Sequence, residues 1–141
     1  MTLFFDTSVL IPAYQLTHTQ HEQSSLALAQ VRRHTATCGA HSIAEFYSVL
    51  TRMPPPYRFH LEQALLCIDE IAQNFRVITL DAQEHLSEVR RAAENRTPGG
   101  QLYDALLLAC ARKAKADKIL TWNLKHFRLL APDLADRIVT P

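Results

Sequence analysis

Short apolar runs alternate along the chain with longer stretches in which apolar residues recur at helical spacing. This alternation is typical of α/β proteins, in which helices connect the strands of a mostly parallel sheet. It predicts a three-layer α/β/α sandwich with a central, mostly parallel sheet of four to five strands. The predicted strands are residues 2–5, 35–38, 76–79 and 118–121, with residues 137–140 as a fifth.

The segments between these strands have the patterns of helices. Two of them open with the spacing of a capping box, Ser42 with Glu45 and Asp81 with Glu84. Residues 105–111 are apolar all round, so the helix that contains them is expected to be buried on most sides. The predicted helices are residues 22–33, 42–51, 59–74, 81–95, 101–116 and 124–130.

Composition narrows the class of protein. The 141 residues suit a single domain, residues 1–141, with a core of its own. The net charge of +1 gives no global basic field, so any affinity for nucleic acid must come from local patches or a metal. The cysteines Cys38, Cys67 and Cys110 form no CxxC pair, which favours free thiols in a reducing cytosol. A signal peptide and a membrane-spanning run are both missing, so we expect a cytoplasmic protein.

Two aspartates stand at positions where a charge needs an explanation. Asp6 follows the first predicted strand, and ligands of open α/β sheets bind at that carboxyl edge. Its structural alternative is an N-cap of the next helix. Asp104 is the only charge between Arg96 and Arg112, in a segment that otherwise appears buried. Its alternative is an acid in the first helical turn, favoured by the helix dipole.

Glu45 and Asn123 also fall beside predicted strand ends. A capping box with Ser42 is the structural alternative for Glu45, and an N-cap is the alternative for Asn123. Thr121 offers a hydroxyl at the same edge, although strand propensity alone could explain it. The carboxyl ends of neighbouring parallel strands share one edge, so these side chains could converge there.

Converging carboxylates repel each other unless a cation lies among them. Hard oxygen ligands without histidine or cysteine suit Mg²⁺ or Mn²⁺, and such an ion keeps waters and binds substrate phosphates. The residues therefore favour a metal-dependent hydrolase of nucleic acid.

The segments around these positions carry a family resemblance. They are LFFDTS around Asp6, SIAEF around Glu45, GGQLYDAL around Asp104 and ILTWNLKHF around Asn123. Together, in this order and spacing, they resemble a PIN domain, most closely the VapC-type toxins of bacterial toxin–antitoxin pairs. The resemblance covers essentially the whole chain, and the ordered set is more specific than any one motif.

The resemblance implies a metal-dependent endoribonuclease, a small antitoxin that occludes the active site, and a homodimer. Carried over by motif, it makes Asp6, Glu45 and Asp104 the ligands of Mg²⁺ or Mn²⁺. Thr121 matches the hydroxyl residue of the last motif, and the hydroxyls beside the first acid are those of Thr7 and Ser8.

Asn123 departs from the aspartate that many members of the family have at this position. An amide keeps an oxygen acceptor but loses the charge, so a second metal would bind more weakly. We therefore expect one ion held by three acids, with Asn123 binding water or substrate.

Basic residues near the predicted edge could contact RNA phosphates without reading sequence. The candidates are Arg52, Arg58, Lys125 and Arg128. Their alternative is an ordinary solvated surface.

Two other functions compete with the nuclease. The loss of charge at Asn123 also fits a catalytically weak or inactive PIN-fold module that binds RNA or protein. A phosphoaspartate enzyme built around Asp6 fits poorly, because such enzymes place a second aspartate two residues on, where this chain has Ser8.

Overall fold

The computed structural model describes residues 1–32 and 34–141, and its central sheet has five strands. Every pairing of neighbouring strands in it is parallel. The predicted strands are confirmed, with no end shifted by more than one residue; the fifth is only two residues long. Numbered in chain order, they are β1 Leu3–Phe5, β2 Ala36–Gly39, β3 Arg76–Ile78, β4 Lys118–Leu120 and β5 Ile138–Val139.

Helices follow or precede each strand, and a short 3₁₀ helix at Pro132–Arg137 leads into β5. None of the helices in the described part of the chain has the length and apolar character needed to cross a membrane. The helices are α1 Thr7–Tyr14, α2 His21–Ala29, α3 Ala40–Thr51, α4 Leu61–Asn74, α5 Ala82–Glu94, α6 Gln101–Lys113 and α7 Leu124–Leu130.

The predicted helices are all present; residues 124–130 match α7 at both ends, and each of the others differs at one end or both. The prediction over residues 22–33 corresponds to α2, which ends at Ala29, and residue 33 lies outside the described residues. No bounds were predicted for helix α1. It is short and apolar from Val9 to Ala13, so it has no polar face from which a helical period could be recognised.

The sheet separates two apolar clusters, because successive side chains of a strand point to opposite faces. Phe4 packs in a cluster with Leu107 of α6 and Phe127 of α7. Phe5 packs on the other side in a cluster with buried residues of α1, α3 and α4: Val9, Leu10, Phe46, Leu50 and Ile71. Helices therefore cover both faces, and the predicted α/β/α sandwich is confirmed.

The strand order, β3-β2-β1-β4-β5, places β1 between β2 and β4. Asp6 follows β1 directly, and its backbone N–H donates to the carbonyl of Leu120 at 3.0 Å. Thr121 follows β4, and β2 runs straight into α3 at Gly39 with no loop between them. Three chain segments thus meet at one carboxyl edge.

Helix α6 approaches this edge closely at Gly39. A Cβ atom at this position would lie 2.7 Å from Cδ2 of Leu107, well inside van der Waals contact. Leu107 is almost completely buried, so its side chain has little space into which to move. The absence of a side chain at residue 39 therefore sets how near α6 lies to the β2–α3 junction.

We predict that Gly39→Ala lowers the free energy of unfolding by about 1–3 kcal/mol, the usual cost of overpacking a core. Urea unfolding followed by circular dichroism would measure the loss. Gly100→Ala is the matched control, since its backbone is helical and no atom lies within 4 Å of the added Cβ. That variant should be neutral or gain up to about 1 kcal/mol. A Gly39→Ala protein as stable as the wild type would contradict the close approach.

Candidate active site

The carboxylate of Asp6 is held by two hydroxyls. Oγ of Ser8 donates to Oδ2 of Asp6 at 2.6 Å, and Oγ1 of Thr121 donates to the same oxygen at 2.8 Å. The backbone N–H groups of Trp122 and Asn123 donate in turn to Ser8 Oγ and Thr121 Oγ1, each at 3.0 Å. Because each hydroxyl accepts from the backbone, its own proton is directed at Asp6. Neither hydroxyl occupies Oδ1, the second carboxylate oxygen.

Asp6 is 2% exposed, and this burial raises its pKa from 3.8 to about 6. The hydrogen bonds from Ser8 and Thr121 oppose the rise, while the negative charge of Asp104 adds to it. The net effect is a buried carboxylate whose charged form lacks a compensating cation.

The capping alternative for Asp6 is right about its position and wrong about its main hydrogen bonds. Asp6 occupies the N-cap position of α1, and the backbone N–H of Ser8 helps to lower its pKa, although no capping hydrogen bond of standard geometry forms. The hydroxyls of Ser8 and Thr121 hold the carboxylate, and Thr121 directly follows β4.

The capping box predicted for Ser42 and Glu45 is wrong as well. Helix α3 already begins at Ala40, so Ser42 and Glu45 lie within the helix and not at its cap. Oγ1 of Thr7 lies 2.8 Å from Ser42 Oγ and 3.2 Å from Glu45 Oε2. Thr7 therefore links the start of α1 to Glu45, beside Asp6. The capping box predicted at Asp81 and Glu84 is confirmed.

Asp104 lies in the first turn of α6 and is partly buried, with 27% of its side chain exposed. Nδ1 of His126, from α7, lies 2.8 Å from its Oδ2, a distance at which a protonated Nδ1 donates to the carboxylate. Burial raises the pKa of Asp104, and the neighbouring His126 and His41 oppose that rise. Asp104 was expected to be a strongly buried acid, and this expectation is only partly met. The neighbouring imidazole and the position in the first helical turn both favour the charged form of Asp104.

His41 stands between two of the acids. Its Nε2 lies 3.7 Å from Oε2 of Glu45, and its proximity affects the pKa of Asp104. Its ring is stacked on that of Tyr103, with centroids 4.9 Å apart and planes 3° from parallel. His41 thereby connects the first turn of α3 with the first turn of α6.

Asp6, Glu45 and Asp104, called the acidic triad below, are therefore neighbours at the carboxyl edge. Within residues 1–32 and 34–141, however, no three or more His, Cys, Asp or Glu side chains are arranged as a group that could hold a metal ion. A histidine lies beside each of Glu45 and Asp104, and hydroxyls donate to Asp6. Coordination of one ion by all three acids stays a prediction.

Asn123 is exposed at the N-cap position of α7, and its side chain makes no capping hydrogen bond. The capping alternative is therefore right about the position of Asn123 and wrong about the hydrogen bond of its side chain. Thr121 is fully buried and donates to Asp6, which gives its hydroxyl a role beyond strand propensity.

The predicted RNA-contacting cations differ in their surroundings. Lys125 is exposed in the first turn of α7, two residues after Asn123. Arg128 donates to the carbonyl of Ile138 at 2.8 Å and so joins α7 to β5. Arg58 donates to the carbonyl of Met53 within the proline connector, the segment 52–60 between α3 and α4 that contains three consecutive prolines. Nη1 of Arg52 lies 3.4 Å from Oγ of Ser48. Among the described residues no contact joins these arginines to the acidic triad, so their binding of RNA stays a prediction.

Sequence reasoning missed His41, His126 and Tyr103. The spacing of His41 and Glu45, four residues apart on a predicted helix, was a usable signal for the first pair. The contact of His126 with Asp104 spans twenty-two residues and two helices, and no local pattern announces it.

Comparison with known proteins gives consistent similarities. A sequence model of the family described as PIN domain matches residues 3–130. Ribonuclease VapC40 of Mycobacterium tuberculosis is 35% identical over 120 residues, which cover 85% of this chain and 85% of that protein. Ribonuclease VapC27 of the same organism is 36% identical over 115 residues, covering 82% and 80%.

Solved structures share the fold at lower identity. VapC20 of M. tuberculosis, described as a toxin that cleaves the sarcin-ricin loop, has a TM-score of 0.70 at 15% identity and covers 86% of this chain and 90% of its own. VapBC-1 of nontypeable Haemophilus influenzae has a TM-score of 0.66 at 16% identity, covering 99% and 98%. VapBC2 of Rickettsia felis, bound to promoter DNA, has a TM-score of 0.60 at 18% identity, covering 91% and 92%.

We predict that Asp6→Asn stabilises the metal-free protein at neutral and alkaline pH. The pKa of Asp6 in the folded chain, about 6, lies above its ordinary value of 3.8, so the folded state binds a proton more tightly than the unfolded state. The contribution of Asp6 to the stability of the wild type is therefore greatest below about pH 4 and is lost as the pH rises through about 6. The amide removes that loss, which amounts to about 3 kcal/mol at most.

Urea unfolding in EDTA at about pH 4.5 and at about pH 8 would measure the effect. Asp69→Asn is the control, since Asp69 is an exposed acid on α4, and it should change little at either pH. An Asp6→Asn protein less stable than the wild type at pH 8 would show that charged Asp6 stabilises the fold.

Proposed function

This chain belongs to the PIN domain family, and from that premise we propose that it is a metal-dependent endoribonuclease, the toxin of a bacterial toxin–antitoxin pair. The observation that carries the proposal is the acidic triad at the carboxyl edge. Within it, Asp6 is buried and accepts hydrogen bonds from the hydroxyls of Ser8 and Thr121. The names of the relatives that cover most of the chain, both ribonucleases, support the choice of RNA as substrate.

Asp6, Glu45 and Asp104 would hold one Mg²⁺ or Mn²⁺. The donor set fits such an ion, because hard divalent cations prefer carboxylate oxygens. The raised pKa of Asp6 supports this assignment, since a nearby cation would offset both the burial of the charge and the repulsion from Asp104. Such an ion would supply Lewis acidity, which would make water a better nucleophile and offset the charge that develops on the phosphodiester.

The other residues of the site orient these acids. Ser8 and Thr121 keep Asp6 in one rotamer by donating to Oδ2, and Thr7 holds the start of α1 against Glu45. His41 lies 3.7 Å from Glu45 and His126 lies 2.8 Å from Asp104, so each imidazole helps to position one of these acids.

Asn123 and Lys125 would act on the substrate side of the site. The exposed amide of Asn123 can donate to a phosphate or hold a water, and its lack of charge favours one ion over two. Lys125 is exposed two residues further on and would contact a phosphate of the RNA backbone. Arg52, Arg58 and Arg128 could add weaker, salt-dependent contacts.

A small antitoxin is the proposed partner, and a homodimer is the proposed assembly, both acting in the cytoplasm. The ribonuclease relatives support the placement of this chain among toxins of this type. The antitoxin would inhibit by covering the acidic triad.

The test is cleavage of total bacterial RNA with Mg²⁺, with Mn²⁺ and with EDTA. The wild type should cleave only with a divalent metal. Asp6→Ala and Asp104→Asn should each lose at least about 100-fold in rate, since even changes outside the ligand set of a metal cost up to that much.

Asp69→Asn, which removes an exposed acid far along α4, should keep full activity. Thermal unfolding of each variant separates loss of chemistry from loss of fold. Metal-independent cleavage, or full activity of Asp104→Asn, would overturn the mechanism.

A second function is a PIN-fold module that binds RNA or protein with little or no catalysis. The arrangement of the acidic triad favours it, since its members as they stand do not form a metal-binding group within the described residues, and Asn123 adds no charge. Calorimetry with Mn²⁺ distinguishes the two functions. Binding to the wild type that is lost in Asp6→Ala supports the nuclease, and no binding by a folded wild type supports the module.

A further inference from the structure

Two aromatic rings lie stacked at the mouth of the candidate active site. The phenol ring of Tyr103 and the imidazole of His41 are nearly parallel, 3° apart, with centroids separated by 4.9 Å. They come from the first turns of α6 and α3, so each is fixed by a different helix. Such an offset parallel arrangement is a favourable geometry for aromatic pairs.

The stacked pair lies next to the acidic triad. Tyr103 precedes Asp104 in the chain, and Nε2 of His41 lies 3.7 Å from Oε2 of Glu45. Through His41 the pair therefore lies next to Glu45, and along the chain it lies next to Asp104, so it adjoins two of the proposed metal ligands.

The stack does not belong to the core. Tyr103 is 51% exposed, and it is a member of neither apolar cluster that flanks the sheet. Among the described residues its aromatic partner is His41, which covers one face of the ring. The exposed half of Tyr103 is therefore available for contact with a ligand.

We propose that Tyr103, supported from behind by His41, is a stacking platform for an unpaired base of RNA next to the phosphodiester presented to the acidic triad. The inference rests on the proposed function in taking RNA as the ligand. Carboxylates repel phosphates, so a contact that does not depend on charge would add to the affinity near this site. Stacking on aromatic side chains does this, because every base has a π-face.

The test is binding of a fluorescently labelled single-stranded RNA in EDTA at low salt, where affinity is measured without hydrolysis. Tyr103→Leu should weaken binding by about 5- to 150-fold, the usual effect of removing one stacked base contact. Tyr103→Phe, which keeps the ring, should bind within about 2-fold of the wild type. Tyr57→Leu is the matched control, since Tyr57 is a similarly exposed tyrosine on the proline connector, and it should not change the affinity.

A second measurement does not depend on the stability of the leucine variant. Tyr103→Trp adds an indole at the platform to the single native tryptophan, Trp122, whose Nε1 already donates to Ser24. RNA should quench the emission gained by this variant, as stacking on a base requires.

Equal RNA affinity of Tyr103→Leu and the wild type, or no quenching in Tyr103→Trp, would overturn the platform. A Tyr103→Leu protein that binds RNA as the wild type does, but loses affinity for a purified antitoxin, would overturn it as well. These outcomes are separate from the proposed function: a wild type that binds RNA through Tyr103 but never cleaves it would refute the nuclease and leave the platform standing.

Discussion

The burial of the Asp6 carboxylate between the hydroxyls of Ser8 and Thr121 is the contact on which the site depends. It joins β1 to β4, and the backbone N–H groups after β4 fix the direction of both hydroxyl protons. A carboxylate at 2% exposure is costly when charged, and the hydroxyls offset only part of that cost. The fold thus holds a charge in a place where a cation would stabilise it, which is the arrangement that a metal enzyme needs before its metal binds.

Much of the fold could be predicted because apolar runs and helical periods are local features. All five strands appear as short apolar runs, and β5, the weakest of them, is also the shortest. Capping shows the limit of local reasoning. Asp81 with Glu84 and Ser42 with Glu45 have the same spacing, yet only the first pair caps a helix. The difference is that β2 passes into α3 without a loop, so the helix starts before Ser42, and no pattern within the helix reveals that.

The site could be predicted in part for a similar reason. Parallel strands share a carboxyl edge, so residues that follow β1 and β4 were expected to be neighbours, as Asp6 and Thr121 are. The partners of the acids were not predicted. His126 reaches Asp104 because α7 and α6 pack together, and that contact is a property of the folded chain alone. The same holds for the stack of His41 on Tyr103, whose residues lie far apart in sequence.

The close approach at Gly39 has a consequence for how this family of sequences can vary. Leu107 lies one helical turn after Asp104 on α6, and Gly39 immediately precedes the helix that carries His41 and Glu45. The space shared by residues 39 and 107 therefore sets the separation between two of the three acids. A relative with a larger residue at the position of Gly39 should carry a smaller one at the position of Leu107, because only paired changes in volume would keep that separation. The sizes of two uncharged residues thereby constrain the geometry of a charged site.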